Sequence, residues 1–105
     1  MKMAGGEVTI TNLAITATTD PQPIEPIEGL YQIGLMIQNL DAASVIYAGG
    51  AGVTVLTGIR IKADGGILEL SHQWADGVWY IIGAAGGEDV RILQVSVSDI
   101  WNIRY

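Results

Sequence analysis

Apolar and polar residues alternate with period two over several short stretches of this chain, with glycine clusters between them. From Glu7 to Thr16, Val8 and Ile10 alternate with Thr9 and Thr11 before Leu13 and Ile15 change the phase. Leu30 to Gln38 sets Tyr31, Ile33, Leu35 and Ile37 on one face and Gln32, Gly34 and Gln38 on the other. Shorter strands are expected at Ser44–Ala48, Val53–Leu56, Ile59–Lys62 and Ile67–Leu70. Asp64-Gly65-Gly66 predicts a hairpin between the last two. Val78–Ile82 is apolar on both faces and reads as a central strand, and Asp89–Val97 alternates again. A last segment, Asp99–Tyr105, carries Ile100, Trp101 and Ile103. No stretch keeps the three-and-four spacing of an amphipathic helix.

Short strands punctuated by Gly turns predict an all-β domain, an antiparallel β-sandwich or barrel of about seven to nine strands. One segment departs from this pattern. All three prolines lie in Asp20-Pro21-Gln22-Pro23-Ile24-Glu25-Pro26-Ile27-Glu28. Proline fixes φ and deletes a ladder donor, so residues 17–28 read as an extended, acidic N-terminal arm rather than a sheet strand. Residues 97–105 read as a C-terminal tail, and 1–105 as a single domain.

Composition sharpens the picture. Half of the 105 residues are apolar, a further 14 are Gly, and only 15% are charged, against about 25% in an ordinary soluble domain. A domain this small cannot enclose so much apolar surface, so a homo-oligomer is expected, a trimer favoured. The net charge of −6 argues against a nucleic-acid partner. No apolar run reaches the ~20 residues of a membrane span. Glu7 interrupts the N-terminus before a secretory signal could form, which points to synthesis in the cytoplasm.

Candidate chemistry is sparse. The chain has no Cys and one His, so thiolate chemistry is absent and a zinc site at His72 would need carboxylates alone. Ser71, Ser44, Ser96 or Ser98 could join His72 and Asp76 in a triad, but no nucleophile elbow is present. Gly49-Gly50-Ala51-Gly52 precedes Val53-Thr54-Val55 rather than a Lys-Ser/Thr pair, so it reads as a positive-φ turn and not a phosphate loop. Asp64 and Asp76 precede Gly as turn residues. Neither catalysis nor a cofactor or metal is expected. Trp79 falls in the apolar run and belongs to the core. Trp74, beside a turn, and Trp101, in the tail, are the candidate surface or interface aromatics.

Between Gln38 and Val95 the motifs fall in a particular order. Ile46-Tyr47-Ala48-Gly49-Gly50-Ala51-Gly52-Val53 is followed by Thr57-Gly58-Ile59-Arg60-Ile61 and Gly66-Ile67-Leu68-Glu69-Leu70. Val78-Trp79-Tyr80-Ile81-Ile82-Gly83 and Asp89-Val90-Arg91-Ile92-Leu93 close the series. This string resembles small β-sandwich virion proteins of tailed bacteriophages. The resemblance implies a non-enzymatic structural subunit, and the function expected from it is capsid decoration: a cement protein on the capsid exterior that bridges capsomers by binding the major capsid protein. The candidate contact is the arm, with Ile24 and Ile27 as apolar anchors among Asp20, Glu25 and Glu28. A head–tail connector or tail subunit is the alternative within the virion. A carbohydrate-binding module using Trp74 is the alternative outside it.

Overall fold

The computed structural model describes residues 8–71 and 74–98. His72, Trp101 and the segment Asp99–Tyr105 lie outside the described residues. Among the described residues eight strands follow one another: β1 (Val8–Thr16), β2 (Gln22–Ile24), β3 (Tyr31–Asn39), β4 (Ile46–Gly49), β5 (Ile59–Ile61), β6 (Gly66–Ser71), β7 (Trp79–Gly83) and β8 (Asp89–Val97). They form two four-stranded sheets, β1-β8-β3-β6 and β2-β7-β4-β5. Every pairing is antiparallel. The architecture is a small all-β sandwich. β7 is central, as its two-sided apolar sequence implies.

The core lies between the inner faces. Leu35 and Ile37 of β3 and Val90 and Ile92 of β8 meet Ile24, Ile46, Ala48, Ile61 and Ile81 of the second sheet, all at most 3% exposed. Each such aliphatic side chain contributes about 1.5–3 kcal/mol on leaving water. Leu68, Leu70 and Trp79 pack against this cluster from its margins.

Four sequence expectations need correction. Gln22–Ile24 is a strand, paired with Trp79–Ile81. It sits at a sheet edge, where one row of backbone groups has no ladder partner and Pro23 can be accommodated. Val53–Leu56 is a turn, not a strand. The glycines at 49–52 do not have positive φ. The hairpin between Ile59–Lys62 and Ile67–Leu70 does not form: β5 pairs with β4, and β6 with β3. Asp64 (φ 59°) and Gly65 (φ 95°) turn the chain between the two sheets. There the Asp64 N–H donates to the Asp41 carbonyl (2.6 Å) and the Gly65 N–H to the Asn39 carbonyl (2.7 Å). These bonds tie the turn to β3 and start β6 beside it.

β3 also departs from simple alternation. A bulge between Gln32 and Gly34 shifts the phase, so Gln32, Leu35, Ile37 and Asn39 face inward and Tyr31 faces out. β1 has no bulge and keeps register with β8 along its length. Its change of phase therefore means that its apolar side switches, from outward at Val8 and Ile10 to inward at Leu13 and Ile15.

Strand direction places the starts of β1, β3, β5 and β7 and the ends of β2, β4, β6 and β8 at one end of the sandwich, called here the apex. Loops 25–30 and 50–58 and residues 74–78 occupy it. Loops 17–21, 40–45, 62–65 and 84–88 form the opposite end, the base.

Candidate functional site

The exposed apolar side chains are not scattered. Of eleven exposed large hydrophobics among the described residues, eight stand at the apex or on the strand ends leading to it: Val8, Ile10, Tyr31, Val55, Leu56, Ile59, Trp74 and Val78. Single exposed hydrophobics are ordinary, but a contiguous group marks an interaction surface. A shallow recess of about 380 Å³ opens among them, lined by Gly50, Thr57, Ile59, Val78 and Trp79.

Loop 50–58 displays its apolar tip by a hydrogen-bonded turn. Val53, 5% exposed, roots the loop, and its N–H donates to the Gly50 carbonyl (3.0 Å). Thr57 Oγ1 accepts from the Thr54 N–H (3.1 Å) and Thr54 Oγ1 from the Leu56 N–H (3.2 Å). The Thr57 and Gly58 N–H groups both donate to the Thr54 carbonyl (3.2 and 2.9 Å). With the backbone held this way, the Leu56 side chain is left 92% exposed. Threonine hydroxyls that bond nearby backbone compete with sheet formation, which is why this β-branched run does not become a strand.

A buried amide relay fixes the other two apex segments. Gln94 Nε2, on β8, donates to the Glu25 carbonyl (2.8 Å) and to Gln32 Oε1 (2.9 Å). Gln32 Nε2 passes the connection on to the Ala75 carbonyl (2.5 Å), and the Gln32 N–H donates to Asp76 Oδ1 (3.1 Å). Both amides are at most 1% exposed. The relay fastens the Glu25 segment and the Trp74–Asp76 turn to the same point of the core. Trp79 Nε1 donates to the Trp74 carbonyl (2.7 Å), while Trp74 itself is 66% exposed. Glu25, Glu28 and Asp76 are exposed in the apex segments. Of the described cations, Arg60, Lys62 and Arg91, none lies in these loops, so the rim of the apex is acidic.

The expected contact residues are thus divided. Ile24 is a core residue, 3% exposed, and cannot anchor a partner. Ile27 is half-buried. Glu25 and Glu28 are exposed in the apex loop 25–30, and Asp20 is exposed in a base loop. Leu56, Gln32 and Gln94 were not anticipated. A signal for the amides existed: Gln94 falls in the same phase as Val90 and Ile92, and a polar residue in a core phase marks a buried hydrogen-bonded network.

At the base, Glu88 is 1% exposed. Its Oε2 accepts from the Ser44 hydroxyl and from the Ala85 N–H (2.9 Å), and its Oε1 has no partner. Burial pushes this carboxyl up, but bonds from Ser44, Ala85, Gly86 and its own N–H outweigh burial and leave it below the usual glutamate range. Asp41 is lowered by the Ser44 and Ala43 N–H groups. Among the described residues, no group of His, Cys, Asp or Glu gathers that could hold a metal ion, and no helix is long and apolar enough to cross a membrane.

No protein-family model matches this chain, and no curated protein matches it at a significant level.

Proposed function

We propose that this chain is a structural virion subunit that decorates the capsid exterior of a tailed bacteriophage, working as a homotrimer and seating its apex on the shell. The observation that carries this reading is the gathering of exposed apolar side chains at one end of a sandwich whose loops are held by internal hydrogen bonds. A pre-ordered apolar surface loses little conformational entropy on docking. Leu56 and Trp74 are its most exposed members and would supply most of the affinity. Glu25, Glu28 and Asp76 would meet basic groups on the shell, at about 0.2–1 kcal/mol each, and set the approach and salt dependence. The motif string described above supports the virion context.

The test is binding to undecorated capsids. Burying a leucine side chain is worth about 1.5–3 kcal/mol, so Leu56→Ser should weaken binding at least tenfold, and Leu56→Ser with Trp74→Ser should abolish it. Glu25→Gln with Glu28→Gln should change binding less than threefold at high salt and more at low salt. Unchanged binding by the double apolar variant would refute the apex as the contact. The exposure of Trp74 also favours a second reading, a sugar platform. Saturable quenching of tryptophan fluorescence by oligosaccharides, lost in Trp74→Ala, would support it.

A further inference from the structure

The recess at the apex is apolar and open. Its lining includes Gly49, Gly50, Thr57, Ile59, Val78 and Trp79, and Ile59 and Val78 are 49% and 44% exposed. The side-chain polar atoms of that lining are engaged. Thr57 Oγ1 meets the N–H and the hydroxyl of Thr54, and Trp79 Nε1 donates to the Trp74 carbonyl. No charged side chain lines the space, so it suits an apolar group rather than an ion or a phosphate. The apex segments around it carry Glu25, Glu28 and Asp76 and, among the described residues, no cation. The occupant that fits is an apolar side chain with a positive charge a few residues away.

The segment Asp99–Tyr105 has that chemistry and is tethered beside the recess. Ile100, Trp101, Ile103 and Tyr105 are four of its seven residues, and Arg104 is one of the five cations of the chain. β8 delivers the segment to the apex, since its last residue, Val97, pairs with Val8 and Tyr31 at the starts of β1 and β3. Gln94, three residues earlier, already reaches across to the Glu25 carbonyl just past β2. Packed sheets stand about 10 Å apart, and the four residues from Val97 to Trp101 span about 13 Å when extended. Trp101 can thus cross from the first sheet to the start of β7 in the second. Three further residues, about 10 Å, carry Arg104 to the acidic rim. Residues 1–7 reach the same end but match it poorly. Gly5, Gly6 and Glu7 separate their methionines from β1, and Glu7 repeats the charge of the rim.

We propose that residues 99–105 fold back over the apex recess of their own chain, with the Trp101 indole against Trp79, Ile59 and Val78 and Arg104 against the acidic rim. A buried tryptophan takes about 150–250 Å² out of water, and the covered walls lose theirs as well. The tether supplies the rest. A short flexible connection holds its end at an effective concentration in the mM range; at about 1 mM, an affinity of only about 0.1 mM keeps the recess filled about ten times out of eleven. A diffusing partner has no tether and must displace the segment. Leu56 and Trp74 stand outside the lining, so the closed recess leaves both exposed. The contact is made by the free chain and does not depend on the virion reading.

At 11.1 kDa the intact protein is within reach of nuclear magnetic resonance, and the contact can be read without any substitution. Nuclear Overhauser effects should connect the Trp101 indole protons with the methyl groups of Ile59 and Val78. In a sample that mixes isotope-labelled with unlabelled chains, these effects should arise within one chain. Trp101→Ser should abolish them and shift the two sets of methyl resonances. Arg104→Glu, which adds a carboxylate to the rim, should move the same resonances part of the way at low salt. Leu56→Ser should leave the contact intact. Absence of the effects in the parent, effects arising between chains, or effects from Met1 or Met3 to the recess in their place would each overturn the proposal, as would methyl resonances that stay unmoved in either variant. Capsid binding is read separately on the Leu56 and Trp74 variants, so failure of either idea leaves the other testable.

Discussion

Replacing Gln94 by alanine removes the centre of the relay that ties the apex to the core. Its amide nitrogen makes two hydrogen bonds, to the Glu25 carbonyl and to Gln32 Oε1. At about 1 kcal/mol net each, their loss costs about 2 kcal/mol. Gln32 stays buried, and its Oε1 then has no donor, which adds about 1–2 kcal/mol. The sum, about 3–4 kcal/mol, is a large part of the ~5–15 kcal/mol that holds a domain of this size. Gln94→Met keeps the side-chain volume and removes the amide donors together with Oε1, which is buried without a partner, so it should show much of the loss without the cavity that alanine leaves. Urea denaturation monitored by circular dichroism reads the stability. Hydrogen exchange should show residues 25–30 and 74–78 losing protection before the strands do. A cost below about 1 kcal/mol for Gln94→Ala, or unchanged exchange in those two segments, would refute the claim that the relay holds the apex in place.

Acid should destabilise the fold through the base. Glu88 and Asp41 sit below their ordinary values when folded, so the native state binds fewer protons there than the unfolded chain. Their contribution is complete above the unfolded glutamate range and is lost as pH falls through the folded values. Urea midpoints should therefore hold between pH 7 and 5 and fall below pH 4.5, with a shallower acid slope in Glu88→Gln. Gly83→Ala should cost about 1–3 kcal/mol, because the new methyl would meet the Glu88 carboxyl and stand 3.1 Å from Ala17 Cβ; a thermal midpoint equal to the parent's would contradict this. Leu56→Ser should leave stability within about 0.5 kcal/mol, as expected for an exposed surface position, and a larger loss in denaturation would show that the loop tip serves the fold.

The strands that alternate over many residues were legible in the sequence. β1, β3 and β8 lie within a residue of where their alternation puts them, because long pairings force one face onto the core, and the shorter apolar runs of β4, β5, β6 and β7 lie within two residues of theirs. β2 was hidden by Pro23, whose missing donor excludes it from a central strand but not from an edge. The partner of β6 was hidden because the Asp64-Gly65 turn takes its hydrogen bonds from β3, a contact between residues far apart in sequence. The same limit applies to the site. Trp74 stood out as an aromatic beside a turn, whereas Leu56 was absorbed into a strand-like run whose threonines bond their own loop. Ile24 looked like an anchor because alternation with carboxylates imitates an exposed arm. Its burial depends on the pairing of Ile24 with Trp79, which no local pattern encodes.

The central claim is that the apex is the face this subunit presents to a capsid. An electron-microscopy map of tailed-phage particles carrying this chain tests it most directly. The account predicts added density on the outside of the head, with loop 50–58 and the Trp74 turn against the shell and the bases pointing outward. Density confined to the neck or tail, or subunits seated on the shell by their bases, would contradict it.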